Sequence, residues 1–204
     1  MGILHKKSTI KRPRRNLESK KVILIVCEGE KTEINYFKTL KEFLGLTSVH
    51  IKSSPHPSPT KIIKYAIRQA KEINEYDEIY CVFDRDTHGD FDMALKLVDK
   101  NHLKAIVSDP CFEFWILLHF VKIAPNVSAS QSPCKALQAH KVFMDNLPNY
   151  NKDYDFISII VNHLDTAIIN TKEINNTNLP TRQTPYTQVV TLVERLQKLS
   201  NEKC

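Results

Sequence analysis

The sequence predicts an α/β fold, a mainly parallel sheet flanked by helices, with a helical C-terminal part. Three observations predict it. Short apolar runs rich in β-branched residues alternate with stretches of helical spacing up to about residue 120, the pattern of βαβ crossovers. The first and third of these runs break off in an acidic residue and a nearby glycine before a helix begins, as strands do where α/β proteins build sites. After Phe120 the strand-like runs cease and helical spacing continues.

Residues 1–19 read as an irregular arm, because Pro13 breaks any helix there. Val22 to Cys27 is apolar and short enough for a buried strand. Glu28-Gly29 ends it. A helix is expected from about Lys31 to Leu44, where Tyr36, Phe37, Leu40, Phe43 and Leu44 form an apolar stripe and Gly45 terminates it. Val49 to Lys52 makes a second short strand. The proline-rich loop 53–59 follows, and Thr60 can cap a helix carrying Ile62, Ile63, Ala66, Ile67, Ala70 and Ile73 on one face. Glu78 to Phe83 is the third strand, ending in Asp84-Arg85-Asp86-Thr87-His88-Gly89. A helix from about Phe91 to Asn101 leads to a fourth strand near Lys104 to Val107. Ser108-Asp109-Pro110 then reads as a helix start, opening an almost wholly apolar helix from Cys111 to Phe120. Further helices are expected near Pro133–Met144, Tyr154–Lys172 and Thr187–Leu199. The domain boundaries follow: a basic arm over 1–19, an α/β domain over 20–122, and a helical part over 123–204, packed on or beside the sheet.

The chain carries 29 basic and 23 acidic residues, but the excess is local. Residues 1–21 hold a net charge of +7 and the remainder −1. Lys6, Lys7, Lys11, Arg12, Arg14 and Arg15 make the arm a candidate for neutralising phosphates on nucleic acid, or equally a solvated tail. No apolar run approaches the length of a membrane span, and the N-terminus lacks the apolar core of a signal peptide. A cytoplasmic location without membrane contact is the expectation. The five cysteines (27, 81, 111, 134 and 204) are widely spaced and contain no CxxC. Their spacing predicts neither a zinc site nor a disulfide framework. Cys27 and Cys81 fall in strands and read as small buried apolar residues.

Glu28, Asp84 and Asp86 fall just after predicted strands. In a parallel sheet the strand C-termini share one edge, so these groups should converge. Asp84 and Asp86, two residues apart, can point the same way while Arg85 points elsewhere. Nearby carboxylates repel unless a cation lies between them, and hard oxygen ligands suit Mg²⁺ or Mn²⁺. Each acid taken singly reads as well as a cap of the helix that follows. Two of the chain's four glycines, Gly29 and Gly89, lie in these two turns, where a tight turn or close approach needs them. Glu113 is the one acid in an otherwise apolar helix and belongs near the same edge, where it reads equally as a carboxylate that favours the helix N-terminus. Lys31 can meet an anion at a helix start or stand solvated. Glu30 and Glu33 read as helix-start acids, with Glu33 within reach of the site. Gly29-Glu30-Lys31-Thr32 lacks the spacing of a Walker A loop. Asp84-Arg85-Asp86-Thr87 is one residue short of the aspartyl-phosphate hydrolase signature.

The order Glu28-Gly29 after one strand, then Asp84-x-Asp86-x-x-Gly89 after another, resembles the Toprim fold of topoisomerases, primases and OLD-type nucleases over about residues 20–120. A closer resemblance spans most of the chain. Residues 23–37, Phe83-Asp84-Arg85-Asp86, the block from Pro110 to Phe120, Tyr150-Asn151-Lys152 and Pro185-Tyr186-Thr187 are together similar to the RloB-like family. That resemblance implies a Toprim-like catalytic domain with a helical C-terminal part. It further implies a prokaryotic phage-defence setting and a co-encoded ABC/AAA-type ATPase as partner. It implies a metal-dependent nuclease acting on DNA or RNA such as tRNA, with Glu28 as general acid/base, Asp84 and Asp86 as Mg²⁺ ligands, and Glu113 completing the shell. The alternative is a non-catalytic partner subunit of that ATPase, binding metal or nucleotide.

Overall fold

The computed structural model describes residues 21–73, 76–85, 89–126, 130, 132–150, 157–177 and 185–202. Its elements run β1 (Ile23–Cys27), α1 (Thr32–Phe43), β2 (Val49–Ser53), α2 (Pro59–Ile73), β3 (Glu78–Asp84), α3 (Phe91–Lys100), β4 (Lys104–Asp109), α4 (Glu113–Leu117), α5 (Pro133–Gln138), α6 (Lys141–Asn146), α7 (Ile157–Ile160), a 3₁₀ turn (Val161–His163), α8 (Leu164–Thr177), β5 (Tyr186–Thr187) and α9 (Val189–Asn201). The α/β fold read from the sequence is the fold observed. The five strands lie in the order β2-β1-β3-β4-β5. The first four are parallel. The fifth pairs antiparallel with β4.

This order places a topological switch between β1 and β3. The chain leaves β1 towards β2 on one side, then crosses back to β3 on the other. Crevices open outside the carboxyl ends of strands at such points. Here those ends are Cys27 and Asp84. Val26 pairs with Cys81 and Cys27 with Val82 in the register. Glu28 N then donates to Val82 O at 2.9 Å, carrying the pairing one residue further.

Strand alternation divides the apolar residues between two faces. Ile23, Ile25, Cys27, Tyr80, Val82 and Ile106 join one cluster with α1, α4 and the C-terminal helices. Leu24, Val26, Cys81, Phe83 and Val107 join the other with α2 and α3. The C-terminal helices therefore pack on the sheet: Leu192, Val193 and Leu196 of α9 share the buried cluster of β1 and β3. Trp115 at the centre of α4 is fully buried, with Tyr36 edge-on at 6.3 Å and His119 at 4.9 Å. Burial lowers the His119 imidazole to about 4, so it is neutral, and its Nδ1–H donates to Trp115 O at 3.0 Å.

Gly45 ends α1 with φ +60°, a conformation open to glycine. Gly45 N donates to Glu42 O and Leu46 N to Lys41 O, each at 2.9 Å, which is the Schellman pattern. The α2 terminus is capped from afar. The Asp90 carboxylate, in the turn after β3, accepts from Thr60 N at 3.1 Å, from Thr60 Oγ1 at 2.5 Å and from Ser58 Oγ. The hydrogen bonds from Ser58 and Thr60 hold Asp90 at about 2.

Three sequence expectations are corrected. The helix predicted over Cys111–Phe120 is confined to Glu113–Leu117. Its end tightens into i→i−3 bonds, His119 N to Ile116 O and Phe120 N to Leu117 O, while Asn170 Nδ2 donates to Leu118 O at 2.9 Å. Ser108-Asp109 does not start that helix. β5 pairs Ser108 with Thr187 and Asp109 with Tyr186, which draws both residues into β4. Cys111 and Cys134 form a disulfide, with Cα atoms 5.9 Å apart, although their spacing predicted none. The pairing arises because α5 starts against the turn that precedes α4, 23 residues away in sequence. Cys27 and Cys81 are buried thiols as expected. No helix among the described residues is long and apolar enough to cross a membrane. The arm residues Lys6, Lys7, Lys11, Arg12, Arg14 and Arg15, together with Asp86, Thr87 and His88, lie outside the described residues.

The edge opposite the switch point is fastened by carboxylates, Glu78 chief among them. Glu78, first residue of β3, accepts from Arg195 Nε and Nη2 of α9 at 2.9 and 2.7 Å, from Lys104 Nζ at 2.7 Å and from Tyr80 Oη at 2.7 Å. Burial by itself would raise this carboxyl. The Arg195, Lys104 and Tyr80 hydrogen bonds outweigh that and lower it from 4.5 to about 2. A carboxyl depressed on folding contributes stability above its unfolded value and loses it as pH falls towards the folded one. The melting temperature is therefore expected to fall between pH 4.5 and pH 2, and Glu78→Gln should flatten that part of the profile. Glu78→Ala should cost about 2 kcal/mol in denaturant unfolding, below the roughly 3–5 kcal/mol of a fully buried pair.

Candidate functional site

The switch point opens into a cavity of about 670 Å³. Its wall is made by the β1–α1 turn (Glu28, Gly29, Glu30, Lys31), the first turn of α1 (Thr32, Glu33), the end of β3 (Asp84), the start of α4 (Cys111, Glu113) and α5 (Cys134, Lys135, Gln138). Glu28, Asp84 and Glu113 thus meet in one cavity, as does Lys31.

Each side chain is placed by a specific local feature. Glu28 follows the last paired residue of β1, and its Oε2 accepts from Asp84 N at 3.0 Å. That bond fixes one carboxylate oxygen against the neighbouring strand. Asp84 is the last residue of β3, and the next amide, Arg85 N, donates to Ser108 O at 2.7 Å. Alternation puts Asp84 on the face of Val82, towards the cavity, and Arg85 on the face of Phe83.

Glu113 is only 7% exposed. Its Oε1 accepts from Gln138 Nε2 at 3.0 Å and from Tyr150 Oη at 3.1 Å. Burial, then the Glu113 charge, pushes the Tyr150 hydroxyl far up, so it stays protonated and remains a donor. Among the described residues, two neutral donors hold that Glu113 oxygen as an acceptor.

Glu33 is a wall residue of the site that the sequence reading ranked below the others. It is 8% exposed, in the first turn of α1. Its carboxylate lies over Gly29: a Cβ there would stand 2.8 Å from Glu33 Cδ and closer still to Oε2. Burial and the neighbouring Glu33 charge both raise the Cys27 thiol, keeping it protonated. The signal was available in Gly29 itself, a glycine four residues before a glutamate in a chain with four glycines. Lys135 and Gln138 were not legible, because they arrive from α5 through tertiary packing.

The donor set bears on which cation fits. Among the described residues, one group of three potential ligand atoms lies within 4.8 Å of one another: the sulfurs of Cys111 and Cys134 and a carboxylate oxygen of Glu113. Its two sulfurs are joined to each other, which leaves Glu113 as the oxygen donor of the group. The remaining acids of the wall, Glu28, Glu30, Glu33 and Asp84, are hard oxygen donors. Mg²⁺ keeps several waters and takes one or two carboxylates plus substrate phosphate. A wall of carboxylates with two lysines suits that ion better than it suits a thiolate-bound metal.

The family model described as RloB-like protein matches residues 23–196. The chain belongs to the RloB-like family. The match takes in every wall residue of the cavity and, in this RloB-like chain, runs through the C-terminal helices as far as residue 196 of α9. No curated protein and no solved structure matches the chain.

Proposed function

We propose that this RloB-like protein is a metal-dependent nuclease that hydrolyses phosphodiesters at the cavity between β1 and β3. One observation carries the reading. Glu28 and Asp84 are joined across the switch point by the 3.0 Å Asp84 N–Glu28 Oε2 bond, with Glu33 and Glu113 in the same wall. Acids gathered at the carboxyl edge of a parallel sheet, around a space large enough for a nucleotide, are what a hydrolytic phosphate site needs.

Asp84, Asp86, Glu28 and Glu113 are the residues that would hold Mg²⁺ or Mn²⁺ in this Toprim-type reading. The ion would neutralise charge on the scissile phosphate and the leaving oxygen. Glu28 accepts the proton of the attacking water. With one oxygen pinned by Asp84 N–H, its carboxylate has a fixed direction, which is what general-base work requires. Lys31 and Lys135 stand at the same wall and meet phosphate oxygens. The buried Glu113, held by Gln138 and Tyr150, fixes the floor. The basic arm grips the backbone without reading bases, so affinity falls steeply with salt. Phage defence and a partner ATPase enter through family membership.

The test is degradation of a DNA and tRNA panel by the purified protein, with Mg²⁺ or with chelator, with and without the co-encoded ATPase. Both oxidised and reduced protein belong in it, since a disulfide closes part of the wall. Cleavage that needs Mg²⁺ supports the proposal. Metal-independent cleavage, or none under any of these conditions, overturns it.

A further inference from the structure

On the other face of the sheet lies a second cavity, of about 400 Å³. The two cavities share one strand end. Asp84 closes the first; Arg85, the next residue, lines the second. The second cavity has an apolar floor from α3 and β4, including Phe91, Val98, Ala105 and Val107. Its polar groups are Arg85, Asp109 and Gln188, with Tyr186 beside them, and Asp99 from the α3 side.

These groups are arranged for a flat, hydrogen-bonding ligand. The Arg85 guanidinium lies over the Phe91 ring, 5.1 Å from its centroid, which makes a cation–π platform. Arg85 Nε is 3.8 Å from Asp109 Oδ2, an ion pair too long for a hydrogen bond. Asp109 is half-buried, and that burial raises its carboxyl against the lowering effect of Arg85. A desolvated carboxylate in this position gains from further donors. Gln188 is oriented by the sheet: its Oε1 accepts from Val107 N at 3.0 Å, so its amide nitrogen is the end left to donate. The cavity therefore offers a two-oxygen acceptor, an amide donor and a stacking surface within an apolar slot.

We propose that this cavity binds a guanine base, that of the nucleotide next to the scissile phosphate. Guanine presents two adjacent N–H donors, N1 and N2, to a carboxylate, and an O6 acceptor beside them. Asp109 takes the two donors, Gln188 Nε2 meets O6, and the ring stacks on the Arg85–Phe91 platform. Adenine and cytosine each lack the paired donors, and uracil has one. Flat bases taken out of a strand are read in this way, by an aromatic or guanidinium plane and by their hydrogen-bonding edge. The placement next to the scissile phosphate rests on the nuclease reading above. Asp84 and Arg85 are consecutive, so both cavities open at the same strand end, where a strand crossing the sheet edge passes both.

The test is equilibrium binding of GMP, AMP, CMP and UMP to the full-length protein in chelator, where no cleavage occurs. GMP is expected to bind about 10-fold or more tightly than the other three. Asp109→Asn should abolish that preference. Gln188→Glu, which keeps the acceptor for Val107 N and replaces the donor by an acceptor, should weaken GMP by about 10-fold or more. Equal affinity for all four nucleotides, no binding, or a preference that survives both variants in folded protein overturns the proposal. The two readings fail separately. A protein that never cuts but prefers GMP removes the nuclease; one that cuts with Mg²⁺ and shows no GMP preference removes the guanine site.

Discussion

Glu28→Gln is expected to lower Mg²⁺-dependent cleavage by about 10²–10⁴-fold, the usual contribution of a positioned proton acceptor. The substitution is conservative in shape. The amide oxygen can still accept from Asp84 N, so the link between β1 and β3 at 3.0 Å is retained. What is lost is the negative charge and the ability to take a proton. Melting temperature should stay within a degree or two of the parent, because exposed or half-exposed polar exchanges that keep their hydrogen bond cost little. Single-turnover cleavage is the measurement to use, since it separates the chemical step from product release. Retained cleavage in the Gln variant would remove Glu28 from the chemistry, whatever its position in the wall.

Gly29→Ala is the second large effect. A methyl at this position cannot coexist with the Glu33 carboxylate, since its Cβ would stand 2.8 Å from Cδ. The obstructing atoms are the end of a flexible side chain, so the fold can accommodate the methyl by moving Glu33. Gly29 has no positive φ to forbid the substitution on backbone grounds. Stability is therefore expected to change by less than about 1 kcal/mol. Glu33 is displaced in the wall, beside the β1–α1 turn that carries Glu28. Cleavage should drop by about 10²-fold, as displacements near 1 Å do when reacting groups are positioned. The control is Glu33→Ala in the Gly29→Ala background. If the harm comes from the clash, the double variant should match Glu33→Ala alone; a further loss would place the role in Gly29 itself.

The strands and helices up to β4 were legible because each is specified by its own residues. Ile23 to Cys27 is apolar over strand length, α1 carries one apolar stripe, and Gly45 stops it. That Glu28, Asp84 and Glu113 share one cavity was legible for the same reason: each follows an element whose end is visible locally, and parallel strands share an edge. What failed was decided by partners remote in sequence. β5 is two residues long, too short to announce itself, yet it turns Ser108-Asp109 from a helix start into strand. The Cys111–Cys134 pairing depends on where α5 lands. The capping of α2 comes from Asp90, on the far side of β3.

By itself, then, the sequence determined the α/β class, the two acidic turns and the family to which the chain belongs. These follow from local periodicity, from turn chemistry and from motif order. Tertiary structure alone decided that β1 and β3 are neighbours at a switch point, that Glu33 lies over Gly29, and that Lys135 and Gln138 complete the wall. It also decided that Arg85 and Asp109 face a second cavity rather than the first. The physical reason is that burial and hydrogen bonding are satisfied between elements: a side chain's periodicity fixes its face, but what stands opposite that face is set by the packing of the whole chain.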